Sequence, residues 1–333
     1  MKFAVLGAGA IGGFLAARLA LAGHEVAVLA RGRNLEVIGA QGLRLIEADG
    51  RELAATTVGA VADLADAGPA EVLLLCVKAH QVSALRPAIA AALAAAPSTM
   101  LVTMVNGVPW WYFQRLPGAW EGRVLESVDP GGELAASIDP ACVVGGVVYP
   151  AAELVEPGLV RVIEGNRFTL GKPDGSRSER IEALSQALMG AGFKAPVSKD
   201  IRAEIWLKLW GNLCFNPISA LTQATLEDIA RFGPTRALVA RMMGEGQAVA
   251  EALGVRFRIG IEQRIAGAEA VGAHKTSMLQ DIEAGREPEL AALVGAVIEL
   301  GQVAGVATPT IEAVSALAAL LGRQALGTGV RRG

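Results

Sequence analysis

The sequence predicts a chain of two parts, an α/β domain built on a parallel sheet and an all-helical domain that follows it. Three observations predict this arrangement. A strand–helix–strand pattern occupies roughly the first 30 residues, apolar runs of strand length recur further on, and strand signals stop beyond about residue 198. A chain of 333 residues is long enough for two domains, and we expect them to cover residues 1–197 and 198–333.

The composition excludes several classes of protein. Hydrophobic residues make up 52% of the chain and charged residues 19%, whereas a disordered chain combines low hydrophobicity with high net charge. The net charge of −3 is a poor match to nucleic acid or to an anionic membrane. Every apolar segment of about 20 residues contains charge or glycine, so we expect no membrane span. The glycines near the N-terminus argue against a signal peptide.

The cysteines and histidines indicate no metal site. Cys76, Cys142 and Cys214 are far apart and lack CxxC spacing, and the three histidines are scattered along the chain. Because dispersed cysteines also give no disulfide framework, we expect a cytoplasmic protein that binds no metal.

The first half of the chain has the pattern of a parallel sheet with crossover helices. The predicted elements are a strand at Lys2–Leu6, a helix at Phe14–Ala22, and strands at Glu25–Ala30, Glu71–Lys78 and Thr99–Gly107, with a helix at Ala84–Ala96. Continuously apolar runs such as the last two strands are typical of strands that helices cover on both faces. Short β-like segments then fill residues 124–169, and a helix is predicted at Ser178–Gly190.

The second half predicts helices only, and we expect it to form the substrate-binding and catalytic domain. The predicted helices lie at Ile201–Phe215, Thr235–Leu253, Ser277–Ala284, Glu289–Ala304 and Thr308–Leu321.

Residues 7–12 read GAGAIG and match the pattern G-x-G-x-x-G, directly after a strand and at the start of a helix. The first glycine permits the tight turn, the second lets the backbone approach a pyrophosphate, and the third lets the helix pack on the strand. This context predicts a Rossmann-type dinucleotide-binding turn rather than a glycine-rich turn that binds nothing. Its cofactor contacts are expected from Gly7, Ala8, Gly9, Ala10, Ile11 and Gly12.

The end of the second predicted strand favours NADP over NAD. The residues there read Leu29-Ala30-Arg31-Gly32-Arg33 and include no acid of the kind that bonds a ribose 2′-hydroxyl. Guanidinium groups suit a 2′-phosphate because they form bidentate, charge-assisted hydrogen bonds. The alternative is that both arginines are solvated loop charges.

Two polar residues fall at the carboxyl ends of predicted strands, where open α/β sheets bind their ligands. Lys78 ends one strand and is a candidate contact for a cofactor phosphate or ribose. Asn106 ends the next and is a candidate contact for the nicotinamide ribose or the substrate. Simple solvent exposure at the strand ends is the alternative. We expect the active site in the cleft between the two domains.

A polar stripe interrupts the apolar helix that begins at Ile201. Lys208, Asn212 and Asn216 are spaced i, i+4 and i+8, so they share one face among tryptophans, leucines and a phenylalanine. Burying these groups without partners is costly, which favours a functional role over a solvated polar face. A desolvated lysine has a pKa closer to neutrality and can donate a proton to an alkoxide as hydride reaches a carbonyl carbon. The asparagines would orient the carbonyl and carboxylate of a 2-oxo acid.

Two further candidates lie between residues 277 and 289. Ser277 forms a capping box with Gln280, which is a structural alternative to any role in binding. Glu289 follows Pro288 in the predicted first turn of a helix, where a carboxylate also suits the helix dipole.

Taken together, these residues resemble the ketopantoate reductase (2-dehydropantoate 2-reductase) family over nearly the whole chain. The resemblance is carried by GAGAIG at 7–12, Arg31, CVKAHQ at 76–81, VNG at 105–107, WLKLWGNLCFNPISAL at 206–221, SMLQDIEAGREPE at 277–289 and GVATPT at 305–310. It implies NADPH-dependent reduction of a 2-oxo acid, 2-dehydropantoate or a close analogue, as in pantothenate biosynthesis.

The resemblance also implies a role for each matching residue. Lys208 is similar to the general acid of the family, and Glu289 to the acid that lies near the nicotinamide and the catalytic lysine. Asn212, Asn216 and Ser277 resemble substrate ligands, and Asn106 a ligand of both substrate and cofactor. Arg31, Lys78 and the backbone of Ala151 resemble NADPH contacts.

Three departures from the family pattern put the identity of the 2-oxo acid in question. His274 stands where the family commonly has asparagine, Leu290–Gly295 replaces a polar run, and residues 108–113 form an unusually aromatic loop. The loop is either an apolar wall at the mouth of the site, suited to a bulkier substrate, or a packing patch.

Two other functions stay open on the sequence. One is a non-catalytic NADP-binding sensor, which would not need both Lys208 and Glu289. The other is a hydroxy-acid dehydrogenase that works in the oxidative direction with NAD, against which Arg31 argues. The apolar, alanine-rich helices of the second half also suggest a homodimer.

Overall fold

The computed structural model describes residues 1–329 and divides the chain into two compact units. The N-terminal unit contains Met1–Val105, Pro109–Val124 and Gly131–Ile201. The helical unit contains the described chain from residue 202 to residue 329 together with two short segments, Asn106–Val108 and Leu125–Pro130. The predicted α/β domain followed by a helical domain is confirmed. The exact limits of the two domains stay a prediction.

Within the described part of the chain, every strand precedes residue 172. The strands are β1 (Lys2–Leu6), β2 (Glu25–Leu29), β3 (Leu43–Ile46), β4 (Glu52–Ala55), β5 (Gly59–Val61), β6 (Val72–Leu75), β7 (Met100–Thr103), β8 (Val143–Val148), β9 (Ala151–Glu156), β10 (Leu159–Glu164) and β11 (Phe168–Gly171).

The main sheet has seven strands in the order β11-β8-β7-β6-β1-β2-β5. All neighbouring strands pair in parallel except β11, which is antiparallel to β8. The chain moves outward from β1 to β2 and β5 and then returns to β6 on the other side of β1. This reversal defines a topological switch point, and ligands of open α/β sheets bind at the carboxyl ends of the strands that flank it.

A second sheet of four strands, in the order β4-β3-β10-β9, covers the first helix of the chain. The contact is close: a Cβ atom at Gly13 of that helix would lie 2.7 Å from Cγ2 of Val160 on β10. Strands β3, β4 and β5 were not predicted, because each is only three or four residues long and none forms a continuous apolar run.

The core of the N-terminal unit is built on aromatic and branched aliphatic side chains. Phe193 makes edge-to-face contacts at 5.0 Å between ring centroids with both Phe14 and Phe168. Phe3 and Leu15 are fully buried in the same core. This packing fixes the helix that follows the glycine-rich turn against the sheet.

Helices alternate with the strands in the first half of the chain and are the only named elements of the described chain after β11. They are α1 (Ala10–Leu21), α2 (Gly32–Gln41), α3 (Val82–Ala95), α4 (Glu133–Ser137), α5 (Glu179–Gly190), α6 (Ile201–Thr222), α7 (Leu226–Arg231), α8 (Gly233–Ala252), α9 (Ile261–Ala270), α10 (Ser277–Glu283), α11 (Ala296–Ala304) and α12 (Pro309–Gly329).

Helix α6 is longer than predicted. The expected end at Phe215 is wrong, because the helix continues through Pro217 to Thr222. Pro217 lacks the N–H that would bond to Leu213, but the buried residues on both sides hold the helix together. Within it, Trp210 is fully buried and its indole N–H donates to the carbonyl of Met243 at 2.8 Å. Among residues 1–329, no helix combines the length and apolarity that crossing a bilayer requires.

Candidate active site

The glycine-rich turn has a shape that only glycine permits at two positions. Gly7 has φ +113°, and a Cβ atom there would lie 2.9 Å from Cγ1 of Val77. A Cβ atom on Gly12 would lie 2.0 Å from the carbonyl oxygen of Gly7. The first and third glycines therefore allow the turn to close and helix α1 to pack on β1.

The middle glycine of the turn faces open space. Gly9 is the N-cap of α1, and no heavy atom of the described residues lies within 4 Å of the position a Cβ would take, its own neighbours aside. Free backbone N–H groups at a helix N-terminus stabilise an anion there. The turn thus fits a dinucleotide pyrophosphate.

The two arginines after β2 differ in what they contact. Arg33 forms an ion pair with Glu36 at 2.7 Å, whereas the exposed Arg31 has no ion-pair partner among residues 1–329. Arg31 is the N-cap residue of α2, so its side chain projects from the start of a helix. Of the two guanidinium groups, Arg31 is therefore the one that no carboxylate of the described chain neutralises, and its contact with a phosphate stays a prediction.

Lys78 and Ala151 follow strands whose carboxyl ends share one edge of the main sheet. Lys78 is half-buried and lies three residues after β6, next to the switch point. Its backbone N–H donates to Oε1 of Gln81 at 3.1 Å, which fixes the chain direction there. Ala151 is half-buried, begins β9 and lies three residues after β8.

Asn106 is held on the helical unit by its neighbours. Gly107 has φ +89°, and a Cβ atom there would lie 2.5 Å from the carbonyl oxygen of Ala292. The N–H of Val108 donates to that same oxygen at 2.9 Å. The segment is thus docked on a π-helical turn over Ala291–Gly295. Such turns are frequent at functional sites.

The polar face predicted on α6 is present and becomes more buried along the helix. Lys208 and Asn212 are half-buried, whereas Asn216 is only 4% exposed. Nδ2 of Asn212 donates to Oδ1 of Asn106 at 3.1 Å. Nδ2 of Asn216 is buried and has no hydrogen-bond partner within the described chain. One asparagine is therefore oriented by the docked segment and the other keeps a free donor.

Ser277 is not the capping residue of α10. The cap is Thr276, whose hydroxyl accepts from the N–H of Leu279 at 3.3 Å, and Nε2 of Gln280 bonds to the carbonyl of Lys275 instead. The predicted capping box is therefore wrong by one residue. Because Thr276 makes the cap, the hydroxyl of Ser277 is not used there, and Ser277 is exposed in the first turn of α10.

Glu289 is 8% exposed and precedes the π-helical turn that holds Gly107. Its carbonyl accepts from the N–H of Leu293 at 3.2 Å. The helix predicted from Glu289 to Ala304 is present from Leu290, but residues 291–295 form the π-helical turn, and regular α-helix resumes at Ala296. Asn106, Asn212 and Glu289 are thus all fixed within the helical unit.

The aromatic loop is part of the protein core and not a wall of the site. Trp111, Tyr112 and Phe113 are each at most 1% exposed. The indole N–H of Trp111 donates to the hydroxyl of Thr103 at 2.9 Å, and a Cβ at Gly145 would lie 2.7 Å from its ring. The packing interpretation explains this loop, which therefore gives no reason to expect a bulkier substrate.

The thiols nearest these residues are structural. Burial raises the pKa of Cys76, which lies beside Gly12, and of Cys214 on α6. Both thiols therefore stay protonated at neutral pH and are poor nucleophiles.

Sequence reasoning missed Asn34, which lies in the first turn of α2. Nδ2 of Asn34 donates to the carbonyl of Ala8 in the glycine-rich turn at 3.2 Å. A polar residue three positions after Arg31 was the available signal, but an asparagine near a helix start is common for reasons of turn chemistry alone.

A parallel sheet with a glycine-rich turn at its switch point, followed by helices with a lysine–asparagine face, defines a two-domain oxidoreductase of the Rossmann type. The chain belongs to the ketopantoate reductase family. Residues 3–110 match the family described as ketopantoate reductase PanE/ApbA, and residues 200–321 match its C-terminal part.

Individual relatives agree with this assignment. The chain is 54% identical to the 2-dehydropantoate 2-reductase of Mesorhizobium japonicum, over 95% of this chain and 96% of the relative. A Ralstonia solanacearum structure, proposed to be a ketopantoate reductase, aligns with a TM-score of 0.92 and 39% identity over 97% of this chain and 98% of the other. The 2-dehydropantoate 2-reductase of Geobacter metallireducens aligns with a TM-score of 0.84 and 27% identity over 96% and 99%.

A more distant structure shares the fold alone. D-mandelate dehydrogenase, solved with NADH and anilino(oxo)acetate, aligns with a TM-score of 0.82 but only 21% identity, over 98% of this chain and 99% of that one.

Proposed function

We propose that this chain reduces 2-dehydropantoate to pantoate with NADPH. The observation that carries the proposal is the face of α6, where Asn212 is bonded to Asn106 and the buried Asn216 keeps an unpaired donor one turn further on. The 54% identity with a 2-dehydropantoate 2-reductase over 95% of the chain supports the choice of substrate.

The N-terminal unit supplies the residues that fit NADPH. The glycine-rich turn leaves room for a pyrophosphate at Gly9, and Arg31 offers a guanidinium without an ion-pair partner in the described chain for the 2′-phosphate. Lys78 adds a second cation at the same sheet edge, and Ala151 a backbone contact. When bound, the dihydronicotinamide supplies a hydride. The same turn would accept NADH, but residues 30–33 after β2 include no acid that would bind a free ribose 2′-hydroxyl.

Lys208 acts as the general acid in this proposal. A carbonyl carbon that accepts hydride leaves a negative charge on its oxygen, and the ammonium of Lys208 donates a proton to that oxygen. The C–O double bond becomes a single bond, and one C–H bond and one O–H bond form. Because Lys208 is only half-buried, water can return the proton to the amine between turnovers.

The asparagines and Ser277 hold the substrate. The hydrogen bond to Asn106 fixes the side chain of Asn212, so that its other donor has a set direction. The unpaired Nδ2 of Asn216 carries a desolvation cost of about 1–3 kcal/mol, which a substrate carboxylate or hydroxyl would remove. The exposed hydroxyl of Ser277 adds a third contact.

Glu289 supports the nicotinamide half of the cofactor and the ammonium of Lys208. Its carboxyl group is buried, and its chain segment is coupled to Asn106 through the contact between Gly107 and Ala292. The position of the active site between the two domains stays a prediction, as do the cytoplasmic location and the homodimer.

Oxidation of NADPH at 340 nm with purified protein and a panel of 2-oxo acids tests the proposal. We expect 2-dehydropantoate to give the highest kcat/KM, and NADH to support much slower turnover. A bulkier 2-oxo acid as the best substrate would contradict the proposed substrate. NADPH binding without turnover on any member of the panel would favour the sensor.

A further inference from the structure

One side-chain amide joins two segments that the proposed function assigns to the cofactor. Asn34 is half-buried in the first turn of α2, three residues after Arg31. Its Nδ2 donates to the carbonyl of Ala8 at 3.2 Å, and its Oδ1 accepts from the N–H of Gly158 at 3.0 Å. The glycine-rich turn, the start of α2 and the β9–β10 turn therefore meet at this residue.

The two partners determine which way the amide faces. A carbonyl oxygen requires a donor and an N–H group requires an acceptor, so nitrogen must face Ala8 and oxygen must face Gly158. Among side chains of this length, only an asparagine satisfies both. A leucine fills the same volume without either hydrogen bond, and an alanine removes the contact altogether.

The bond to Ala8 fixes the peptide that faces the open space at Gly9. In a planar trans peptide the C=O and N–H groups point in opposite directions. Because Asn34 holds the carbonyl oxygen of Ala8, the N–H of Gly9 points away from Asn34 and cannot rotate freely. Gly9 is the N-cap residue of α1, where the turn fits a pyrophosphate.

The bond to Gly158 anchors Asn34 from the other side. Gly158 has φ +75°, and a Cβ atom there would lie 2.7 Å from Cγ1 of Val37, so the β9–β10 turn is in close contact with α2. The carbonyl of Gly158 accepts from the N–H of Arg44 on β3 at 2.8 Å. The second sheet thus holds the start of α2 in place, and Arg31 with it.

We propose that Asn34 is a positioning residue that sets the spacing between the pyrophosphate-binding turn and Arg31. It touches neither substrate nor the reacting atoms. It acts by keeping two anchors of one cofactor at a fixed separation, so its contribution is larger for NADPH, which uses both anchors, than for NADH, which lacks the 2′-phosphate. This inference rests on the proposed use of NADPH.

Cofactor titrations of Asn34→Ala and Asn34→Leu test the inference. We expect Kd for NADPH to rise about 10- to 30-fold, consistent with two lost hydrogen bonds, and Kd for NADH to rise only about 3- to 5-fold. Turnover at saturating NADPH should stay within about twofold of wild type. The preference for NADPH over NADH therefore narrows, which a general loosening of the fold would not produce.

Asn166→Ala is the matched control, because Nδ2 of Asn166 also donates to a backbone carbonyl, that of Gly192, at 3.0 Å. Asn166 precedes β11, at the opposite end of the main sheet from β5 and β2. Its substitution should leave both Kd values unchanged. Thermal melting shows which Asn34 variants fold, and the leucine variant, which keeps the packing volume, decides the question if the alanine variant does not.

Two results would overturn the inference. One is an unchanged Kd for NADPH in the folded Asn34 variants, and the other is an equal loss of NADPH and NADH affinity. Arg31→Ala separates this failure from failure of the proposed function. If Arg31→Ala weakens NADPH while the Asn34 variants do not, only the role of Asn34 is wrong. If wild type does not bind NADPH, the proposed cofactor is wrong and the inference falls with it.

Discussion

Gly107→Ala adds one methyl group at the point where the chain segment carrying Asn106 contacts the π-helical turn over Ala291–Gly295. The added Cβ would lie 2.5 Å from the carbonyl oxygen of Ala292 and 2.9 Å from its Cβ. These neighbours are backbone and a short side chain, so neither can rotate away. The segment must move, and with it the N–H of Val108, which donates to the same oxygen.

The expected loss of stability has two parts. A residue other than glycine in the left-handed region costs roughly 1–2 kcal/mol, and forcing a methyl group into a packed contact costs roughly 1–3 kcal/mol more. We therefore expect Gly107→Ala to lower the free energy of unfolding by about 2–5 kcal/mol. Gly254→Ala isolates the first part, because Gly254 has φ +87° in the same unit and open space at its Cβ position.

The catalytic consequence follows from Asn106. A shift of its segment breaks or lengthens the hydrogen bond from Asn212, and a displacement of about 1 Å in a positioning group can cost about 100-fold in rate. We expect Gly107→Ala to lower kcat/KM for 2-dehydropantoate by about 10- to 100-fold at a temperature where the variant is folded. Gly254→Ala should keep nearly full activity.

Urea unfolding and NADPH oxidation at 340 nm, measured on both variants, check these values. If Gly107→Ala and Gly254→Ala lowered the free energy of unfolding equally, the close contact with Ala292 would not contribute to the destabilisation. If Gly107→Ala kept wild-type kcat/KM, the docking of Asn106 on the π-helical turn would not matter for the reaction.

Three further predictions concern the cofactor, the substrate and a thiol. Arg31→Ala should weaken NADPH binding by about 1–3 kcal/mol and leave NADH binding unchanged. Arg33→Ala, which removes the partner of Glu36, should change the affinity for neither cofactor, and fluorescence titration measures the Kd values. Asn216→Leu should raise KM for 2-dehydropantoate at least about tenfold, because the substrate loses the donor that Nδ2 of Asn216 offers. The free energy of unfolding should change little, since Nδ2 has no hydrogen-bond partner in the described chain. A steady-state assay and a melting curve check the two effects. Burial raises the pKa of Cys142 to about 11, so iodoacetamide should modify it slowly at pH 7.5 and faster as the pH rises toward 11; modification at neutral pH at the rate of a free thiol would contradict this.

Much of the fold could be predicted because its strongest signals are local. The glycine-rich turn follows β1 at once, and β1 was predicted with its observed limits. Strand β6 is a continuous apolar run, as buried parallel strands are. Helix α2 and strands β3 and β4 were missed. Only Ile38 of α2 is buried, so its apolar pattern is weak. Strands β3 and β4 are four residues each, and they are stabilised by packing on α1.

The candidate residues could be proposed from spacing, but their surroundings could not. The i, i+4, i+8 pattern placed Lys208, Asn212 and Asn216 on one face of α6, yet no local pattern shows that Asn212 bonds to a residue 106 positions earlier. The docking of Gly107 on Ala292 is likewise a contact between distant segments.

Caps and helix starts were the least predictable details. Thr276 and Ser277 both suit an N-cap, and only the tertiary structure selects Thr276. The π-helical turn after Glu289 has no sequence signature, since Leu290–Gly295 is compatible with an ordinary α-helix.

The turnover of Lys208→Ala tests the central claim most directly. We expect kcat for NADPH-dependent reduction of 2-dehydropantoate to fall by about 10²- to 10⁴-fold, with Kd for NADPH unchanged and Lys199→Ala, at an exposed lysine, behaving as wild type. A Lys208→Ala enzyme with the kcat of wild type would show that this amine donates no proton in the reaction.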